Sequence, residues 1–199
     1  MEWTDKDKQN LLSWRKNIDN EDIRVKEKIK QVLLNNKNII HVLHNDELEK
    51  KDAEPDEYYG INILPYYMIS PTQNNVKNYV CFETSFDEQA RYNGFIKIQQ
   101  IIFYILSEQK DSIDNETGIA RHDLLASLIL DQFNWSNYFG TQIHCVSDRP
   151  SVVDTYFSCR TLIFEAETPV NVLRTEGVPK IINNNIIFSK INYQCQIYP

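Results

Sequence analysis

Two histidines and two acids lie close together early in the chain, in a pattern that metal sites use. His41 and His44 are three residues apart, and Asp46 and Glu47 follow shortly after them. Imidazole nitrogens and carboxylate oxygens bind zinc, but a structural zinc site needs four ligands. The spacing of this group fixes no third and fourth ligand. We therefore interpret it as the solvated end of a helix and predict no metal ligand.

A second pattern is the acid–base pair His122–Asp123, which follows Arg121. Adjacent side chains on a helix point about 100° apart, so these two groups do not easily serve one substrate atom. Asp123 is explained more simply as an acid in the first turn of a helix, where the helix dipole favours negative charge. Thr117 is the expected cap of that helix.

The thiols offer a third possibility, since a nucleophilic cysteine needs a nearby histidine. His144 and Cys145 are neighbours, but successive side chains on a strand point to opposite faces. Cys81 and Cys159 lie inside strand patterns and are expected to be core thiols. We predict no thiol nucleophile.

Glu83 and Lys97 lie on two neighbouring predicted strands and suggest a metal-dependent nuclease. Such sites usually carry Glu-x-Lys on one strand face, whereas Phe95 and Ile96 precede this lysine.

The sequence contains no Gly-x-Gly-x-x-Gly, no Gly-Lys-Ser/Thr and no Gly-x-Ser-x-Gly. We therefore predict no catalytic residue and no cofactor. An intracellular enzyme without a recognisable motif, such as a metal-dependent nuclease, stays open as the alternative.

The stretch from Phe95 to Trp135 organises the rest of the chain. Residues 95–106 are rich in isoleucine and aromatic residues, which favour a strand, and an acidic loop follows over 108–118. From residue 119 to 134 the apolar residues recur at three- and four-residue steps, the spacing of one helix face. That predicted face comprises Ala120, Leu124, Leu125, Leu128, Ile129 and Phe133, while Arg121, Asp123, Ser127 and Asp131 are placed elsewhere on the helix.

The remaining elements follow from the same patterns. Residues 46–57 are predicted as an exposed loop, 147–150 as a turn, and 39–43 as either a strand or a last helical turn. Further helices are predicted over 3–18 and 22–36, strands over 59–69, 78–86, 140–146 and 154–166, and a hairpin over 181–188. Strands joined by loops favour an α+β fold, mainly an antiparallel sheet covered on one face by helices. We predict an N-terminal helical arm (1–18), an α+β core domain (19–167) and a C-terminal hairpin and tail (168–199).

Composition narrows the class of protein. A length of 199 residues with 42% hydrophobic residues supports one domain with a real core. A net charge of −7 argues against a protein that coats nucleic acid, which needs a basic face. No apolar run is long enough to span a membrane, and residues 1–8 lack an apolar signal segment. The four widely spaced cysteines are therefore expected to be reduced.

The layout of the chain resembles the neck and tail-terminator proteins of tailed bacteriophages. Phe82-Glu83 on one strand, and residues 93–105 (Asn-Gly-Phe-Ile-Lys-Ile-Gln-Gln-Ile-Ile-Phe-Tyr-Ile) on the next, resemble that family's paired strands. Residues 114–125 resemble the acidic loop and covering helix, and 140–146 with 156–164 resemble the closing hairpin. The resemblance covers about residues 22–167.

This resemblance implies a structural ring subunit and not an enzyme. Proteins of that family form homo-oligomeric rings, typically hexameric and of higher order, such as dodecameric, at other neck levels. Their partners are the neighbouring neck, portal or tail-tube proteins; DNA only passes through the lumen, and no membrane is involved. The implied location is the virion neck or tail, after assembly in the host cytoplasm. The resemblance leaves open at which level of the neck the ring would lie: it could be a terminator, a connector ring or a tail-completion protein.

Overall fold

The computed structural model describes residues 4–14, 21–67, 77–88, 96–152, 156–169, 180–182 and 185–187. Within these ranges the helices are α1 Asp5–Trp14, α2 Glu21–Asn35, α3 Lys37–Leu43, α4 Asp46–Lys50 and α5 Arg121–Phe133, with short 3₁₀ turns at Pro55–Tyr58 and Gln109–Asp111. The strands are β1 Ile63–Leu64, β2 Asn78–Glu88, β3 Ile96–Glu108, β4 His144–Val152, β5 Phe157–Pro169, β6 Lys180–Ile182 and β7 Asn185–Ile187. None of these helices combines the length and the apolar character that a membrane crossing requires.

Five strands form one sheet in the order β1-β2-β3-β5-β4. β1 runs parallel to β2, and every other neighbouring pair is antiparallel. β3 and β5 pair along their whole length, from Ile96 opposite Pro169 to Glu108 opposite Phe157. This sheet, with helices packed against it, confirms the predicted α+β fold.

The main core lies between α2, α3 and α5 and one face of the sheet. Phe103 stands near its centre, where its ring centroid lies 5.1 Å from that of Phe133 and 5.7 Å from that of Phe164. Phe82 extends the aromatic group at 6.3 Å. All four rings are fully buried. Because aromatic side chains bury large apolar areas, this group contributes strongly to the hydrophobic stabilisation of the fold.

The helix α5 covers the sheet as predicted, although its buried face is rotated from the expected one. Leu125, Ala126, Ile129 and Phe133 are buried, while Leu124 and Leu128 are partly buried at the border of the core. The prediction that placed Arg121 away from this face is wrong, since Arg121 is only 3% exposed. Its position four residues before Leu125 puts both side chains on the same face.

The predicted cap of α5 is also wrong. The N-cap is Ala120, without a side-chain hydrogen bond, and the N–H of Arg121 donates instead to the carbonyl of Ser112 at 2.7 Å. Thr117 lies earlier in the loop, where its N–H and hydroxyl both donate to Asp114. Thr117 therefore stabilises the loop before the helix and does not cap the helix.

The clearest difference from prediction lies at β4. The predicted strand over 140–146 and turn over 147–150 are replaced by one strand, His144–Val152, that runs through Pro150. β4 lies at the edge of the sheet and pairs with β5, with a bulge between Cys145 and Ser147. Because an edge strand can leave one side unpaired, it tolerates a proline and polar residues that otherwise indicate a turn.

The structure decides one open alternative and differs from the sequence prediction in two other regions. Residues 39–43 belong to α3, so they are helical and do not form a strand. The predicted exposed loop over 46–57 contains α4 and the turn at Pro55–Tyr58, because Leu48 is buried in the core. The predicted strand over 59–69 is reduced to Ile63–Leu64 in the described part of that range.

The end of the sheet lies slightly beyond the predicted boundary at residue 167. Thr168 is buried and its hydroxyl donates to the carbonyl of Lys97 at 3.3 Å, so β5 continues to Pro169. The predicted hairpin is present, with Lys180 paired to Ile187 and Ile182 to Asn185. Residues 1–3, 15–20, 170–179 and 188–199 lie outside the described residues. Whether the two terminal arms contact neighbouring copies stays a prediction.

A pair of alanine substitutions on α5 tests this packing. We expect Ile129→Ala to lower the free energy of unfolding by about 2–5 kcal/mol, because the side chain is fully buried and its loss leaves a cavity. The neighbouring substitution Leu128→Ala should cost less, since Leu128 is only partly buried. Urea unfolding followed by circular dichroism measures both, and an equal or larger loss for Leu128 would contradict the observed helix rotation.

Candidate functional site

The face of the sheet opposite the helices carries a second, smaller apolar cluster. It consists of Leu64, Tyr79, Cys81, Leu106 and Cys159, with Tyr104 and Phe157 packed against it, and includes no described helical residue. Since side chains alternate along strands, the next rows on this face carry Glu83, Gln100, Ile102, Ile163 and Glu165. We call the surface formed by Glu83, Gln100, Ile102, Tyr104, Phe157, Ile163 and Glu165 the open face.

Several contacts hold the side chains of the open face in place. Lys26 of α2 donates to Glu83 and to the carbonyl of Pro65, both at 2.8 Å. The rings of Tyr67 and Tyr104 lie 4.5 Å apart between centroids. The open face is therefore an ordered surface of partly buried aromatic, isoleucine and polar side chains, and protein interfaces use such mixed surfaces.

The β4 edge borders the open face, and Arg160 of β5 links it to the helix α5 in addition to its pairing with β5. Arg160 donates to both carboxylate oxygens of Asp148 at 2.7 and 2.9 Å, and to Asp123 of α5 at 2.5 Å. The hydrogen bonds with Asp148, and then with Asp123, raise the pKa of Arg160 above its ordinary value. This arrangement joins the edge strand to the covering helix.

A group of charged and polar side chains lies at one end of the sheet, around Asp111. Its carboxylate accepts from His44 Nδ1 at 2.8 Å and from Asn78 Nδ2 at 3.0 Å, and Arg121 Nε lies 3.6 Å away. Arg121 Nη1 donates to Asp114 at 2.9 Å. We call these five residues the Asp111 cluster. The side chains of Asp111, Asp114 and Arg121 are at most 13% exposed, so water screens their interaction weakly.

The ion pairs and hydrogen bonds around this cluster shift the pKa values of three groups. Hydrogen bonds from the hydroxyl and N–H of Thr117, at 2.8 and 2.9 Å, lower the pKa of Asp114, and the charge of Arg121 lowers it further. At the solvent side, Lys77 donates to Asp46 at 2.9 Å. That bond lowers the pKa of Asp46 and raises the pKa of Lys77. The three groups are therefore held in their charged forms.

The Asp114–Thr117 bond predicts a pH dependence of stability. Because the folded-state pKa of Asp114 lies below the ordinary 3.8, its ionised form stabilises the fold at higher pH, and this contribution is lost as the pH falls through the folded-state value. We expect Thr117→Val to cost about 1 kcal/mol at neutral pH and less below pH 3.8. Urea unfolding at both pH values measures this, and a pH-independent cost would contradict it.

The structure separates the two histidines of the first predicted pattern. His41 is exposed at the end of α3, with Nε2 3.5 Å from Glu116, as a solvated helix end implies. His44 departs from that interpretation, since its side chain is 27% exposed and lies between Asp111 and Asp46. Its backbone φ of 47° ends α3 in the left-handed region. His44 therefore connects α3 to the Asp111 cluster.

His122 and Asp123 do come close, with Nε2 and Oδ1 3.5 Å apart. The same Asp123 oxygen accepts the 2.5 Å bond from Arg160. Asp123 also lies in the first turn of α5, as predicted. Its contacts thus join α5 to β5, and its carboxylate is paired with the guanidinium of Arg160.

The thiols lie where the strand patterns placed them. Cys81 and Cys159 are buried, and Cys145 Sγ donates to the carbonyl of Ser147 at 3.3 Å, while burial raises the pKa of this thiol. The imidazole of His144 stacks on Trp135 instead. These three cysteines form no disulfide bond within the described residues, and Cys195 lies outside them.

Glu83 and Lys97 are not brought together. Glu83 pairs in register with Ile102, whereas Lys97 lies at the far end of the same ladder, opposite Glu88. Lys97 Nζ is 3.9 Å from the centroid of the Phe86 ring. In the part of the chain that the structure describes, no three His, Cys, Asp or Glu side chains are grouped to hold a metal ion.

Sequence reasoning missed the Asp111 cluster as a unit. The sequence pattern places Asp111 and Asp114 in an acidic loop, and Asn78 only at the start of a strand. One signal was available: Arg121, Leu125 and Ile129 are spaced four apart, which puts a charge on the buried face of the helix and requires a buried partner.

A family model described as YomW matches residues 27–166, more than half of the chain. The chain belongs to the YomW family. The matched segment begins in α2 and ends in β5, so the family region contains the Asp111 cluster, the open face and the β4 edge. A comparison with curated proteins finds no match.

Proposed function

We propose that this protein is a structural ring subunit of a tailed-phage neck, either a tail terminator or a head–tail connector, and not an enzyme. The observation that carries the proposal is the open face. It carries the partly exposed side chains of Ile102, Tyr104 and Ile163 on a sheet whose other face is already covered by helices. A sheet face with such side chains gains stability when it is covered by a neighbouring subunit.

The edge strand beside the open face supports the same proposal. β4 presents backbone groups at the border of the sheet, and Pro150 and the bulge at Val146 limit how another strand can pair there. A subunit surface that combines a partly apolar face with a restricted edge suits a specific contact and disfavours unlimited strand addition.

The net charge of −7 fits a protein through which DNA passes without being held. An acidic lumen repels phosphates, whereas a DNA-binding surface neutralises them with lysine and arginine. In this proposal the subunits bind one another, then the neighbouring portal, neck or tail-tube proteins, and DNA crosses only the central channel.

A charge introduced on the open face tests the proposal. We expect purified full-length protein to form rings, and Ile163→Glu to weaken assembly at least about tenfold, because it buries an unpaired carboxylate in the interface. Ser127→Glu is the matched control, since Ser127 is exposed on α5. Mass photometry and negative-stain microscopy measure assembly, while circular dichroism checks folding.

Two results would contradict the proposal. Rings that form equally well with Ile163→Glu would show that the open face is not the contact. A wild-type chain that stays monomeric, alone and with its neck partners, and that shows metal-stimulated turnover would favour the enzyme alternative.

A further inference from the structure

A polar pocket lies between the second half of α2, the start of α3 and the last turn of α5 with the loop after it. Its volume is about 450 Å³, within the roughly 300–1,000 Å³ that small-molecule sites occupy. Two lysines, five asparagine or glutamine side chains, one tyrosine and one valine line it, and none of these described lining residues is acidic. On a chain with a net charge of −7, this pocket is a local site of positive charge.

The positive charge of the pocket comes from Lys28 and Lys37. Within the described part of the chain neither of them forms an ion pair, whereas Lys26 and Lys77 each donate to a carboxylate, at 2.8 and 2.9 Å. Lys28 is half-buried, and its ammonium lies 5.7 Å from the centroid of the Tyr138 ring. Because two like charges in one pocket repel each other, a bound anion is stabilised there.

Side-chain amides add hydrogen-bonding groups around the two lysines. Asn36 caps α3, and its Oδ1 accepts from the N–H groups of Asn38 and Ile39 at 3.0 and 3.3 Å. These bonds fix the Asn36 side chain and leave its Nδ2 group as a donor for a ligand. Gln132 donates to Asp131 at 3.3 Å, so its side-chain oxygen is the acceptor that it offers. Groups that donate and accept suit the hydroxyls of a sugar.

Tyr138 provides an aromatic surface on the same pocket. Its side chain is 39% exposed, and its ring packs edge-to-face against Phe133 with centroids 5.8 Å apart. Phe133 is fully buried in the core, so it holds the tyrosine in place while part of the ring stays accessible. A sugar ring or a nucleobase can stack on such a ring surface.

We propose that this pocket binds a small hydroxylated phosphate monoester, either a sugar phosphate or a nucleoside monophosphate. A phosphate monoester carries a charge of about −1.5 to −2 near pH 7, which the ammonium groups of Lys28 and Lys37 balance. A carboxylate carries one charge only and leaves one lysine uncompensated. The pocket is far larger than one inorganic phosphate, and its amides and the Tyr138 ring contact the organic part of the ligand. Binding does not depend on ring assembly, because one subunit supplies all the lining residues.

Calorimetric titration of the full-length protein with ribose 5-phosphate, AMP, adenosine and inorganic phosphate tests the site. We expect both phosphate esters to bind at least about tenfold more tightly than adenosine or inorganic phosphate, because only the esters use both parts of the pocket. Equal affinities for the two esters would support recognition of the sugar phosphate, and tighter binding of AMP would support additional stacking of the base on Tyr138. Inorganic phosphate or adenosine that binds as tightly as the esters, or binding of neither ester, would overturn the proposal.

Two double variants test whether the ligand binds in this pocket. We expect Lys28→Gln with Lys37→Gln to weaken AMP binding at least about tenfold, since both ammonium groups are removed. Lys50→Gln with Lys51→Gln is the matched control, because both lysines are exposed, lie outside the pocket and change the net charge equally.

Circular dichroism checks the folding of both double variants. If the pocket variant unfolds, the single substitution Lys37→Gln at an exposed position replaces it and should still weaken AMP binding, by a smaller factor. An equal loss of affinity in the pocket and control variants would show general electrostatic attraction and overturn the pocket as the site. An unchanged affinity in the pocket variant would overturn it as well.

Discussion

Replacing Arg121 with methionine should lower the free energy of unfolding by about 3–5 kcal/mol, the range for breaking a buried ion pair. Methionine keeps the length and apolar part of the side chain but removes the guanidinium. Asp114, 5% exposed, would lose its 2.9 Å partner, and Asp111 would lose a nearby positive charge. The loss is large because a buried carboxylate without a cation is poorly solvated.

Three variants separate this effect from a general loss of packing. Arg149→Met is the matched control, because Arg149 is exposed on β4. A surface substitution of this kind should change stability by no more than about 0.5 kcal/mol. The double variant Arg121→Met with Asp114→Asn should recover part of the loss, since it removes the orphaned charge. Urea unfolding measures all three. If Arg121→Met and Arg149→Met cost the same, the Asp111 cluster does not stabilise the fold.

The long central strands could be predicted from the sequence because their residue types leave little choice. The strand predicted over 95–106 is observed over Ile96–Glu108, and that over 78–86 over Asn78–Glu88. Both are long runs rich in β-branched and aromatic residues, and β3 has a partner on each side. For such strands the local residue preferences and the tertiary contacts both favour the same extended conformation.

The edge strand and the polar cluster could not be predicted in the same way. In β4, the residues Ser147 to Pro150 look like a turn, and only pairing with β5 makes them a strand. The Asp111 cluster joins His44, Asn78 and Arg121, which are far apart in the sequence. Local pattern indicates where each such residue lies on its own element, but not which elements meet.

Removing residues 170–199 should leave a folded body that no longer forms rings. The cut follows Pro169 because Thr168 is buried and hydrogen-bonded to Lys97, so both residues belong to the sheet. The removed segment contains the hairpin of β6 and β7 and further apolar residues, including Phe188 and Tyr193. A two-stranded hairpin is too small to be stable alone, so it needs a surface to cover.

We propose that this surface belongs to a neighbouring copy, where the tail protects an exposed strand edge such as β4. Circular dichroism of the truncated chain should show its sheet and helices retained, and mass photometry should show mainly monomers at concentrations where the full chain assembles. The helical arm offers the comparison: a chain without residues 1–14 keeps the tail and should lose less assembly, because α1 carries a shorter apolar stretch. A truncated chain that unfolds would place residues 170–199 in the subunit's own core. One that assembles normally would show that the tail does not hold the ring together.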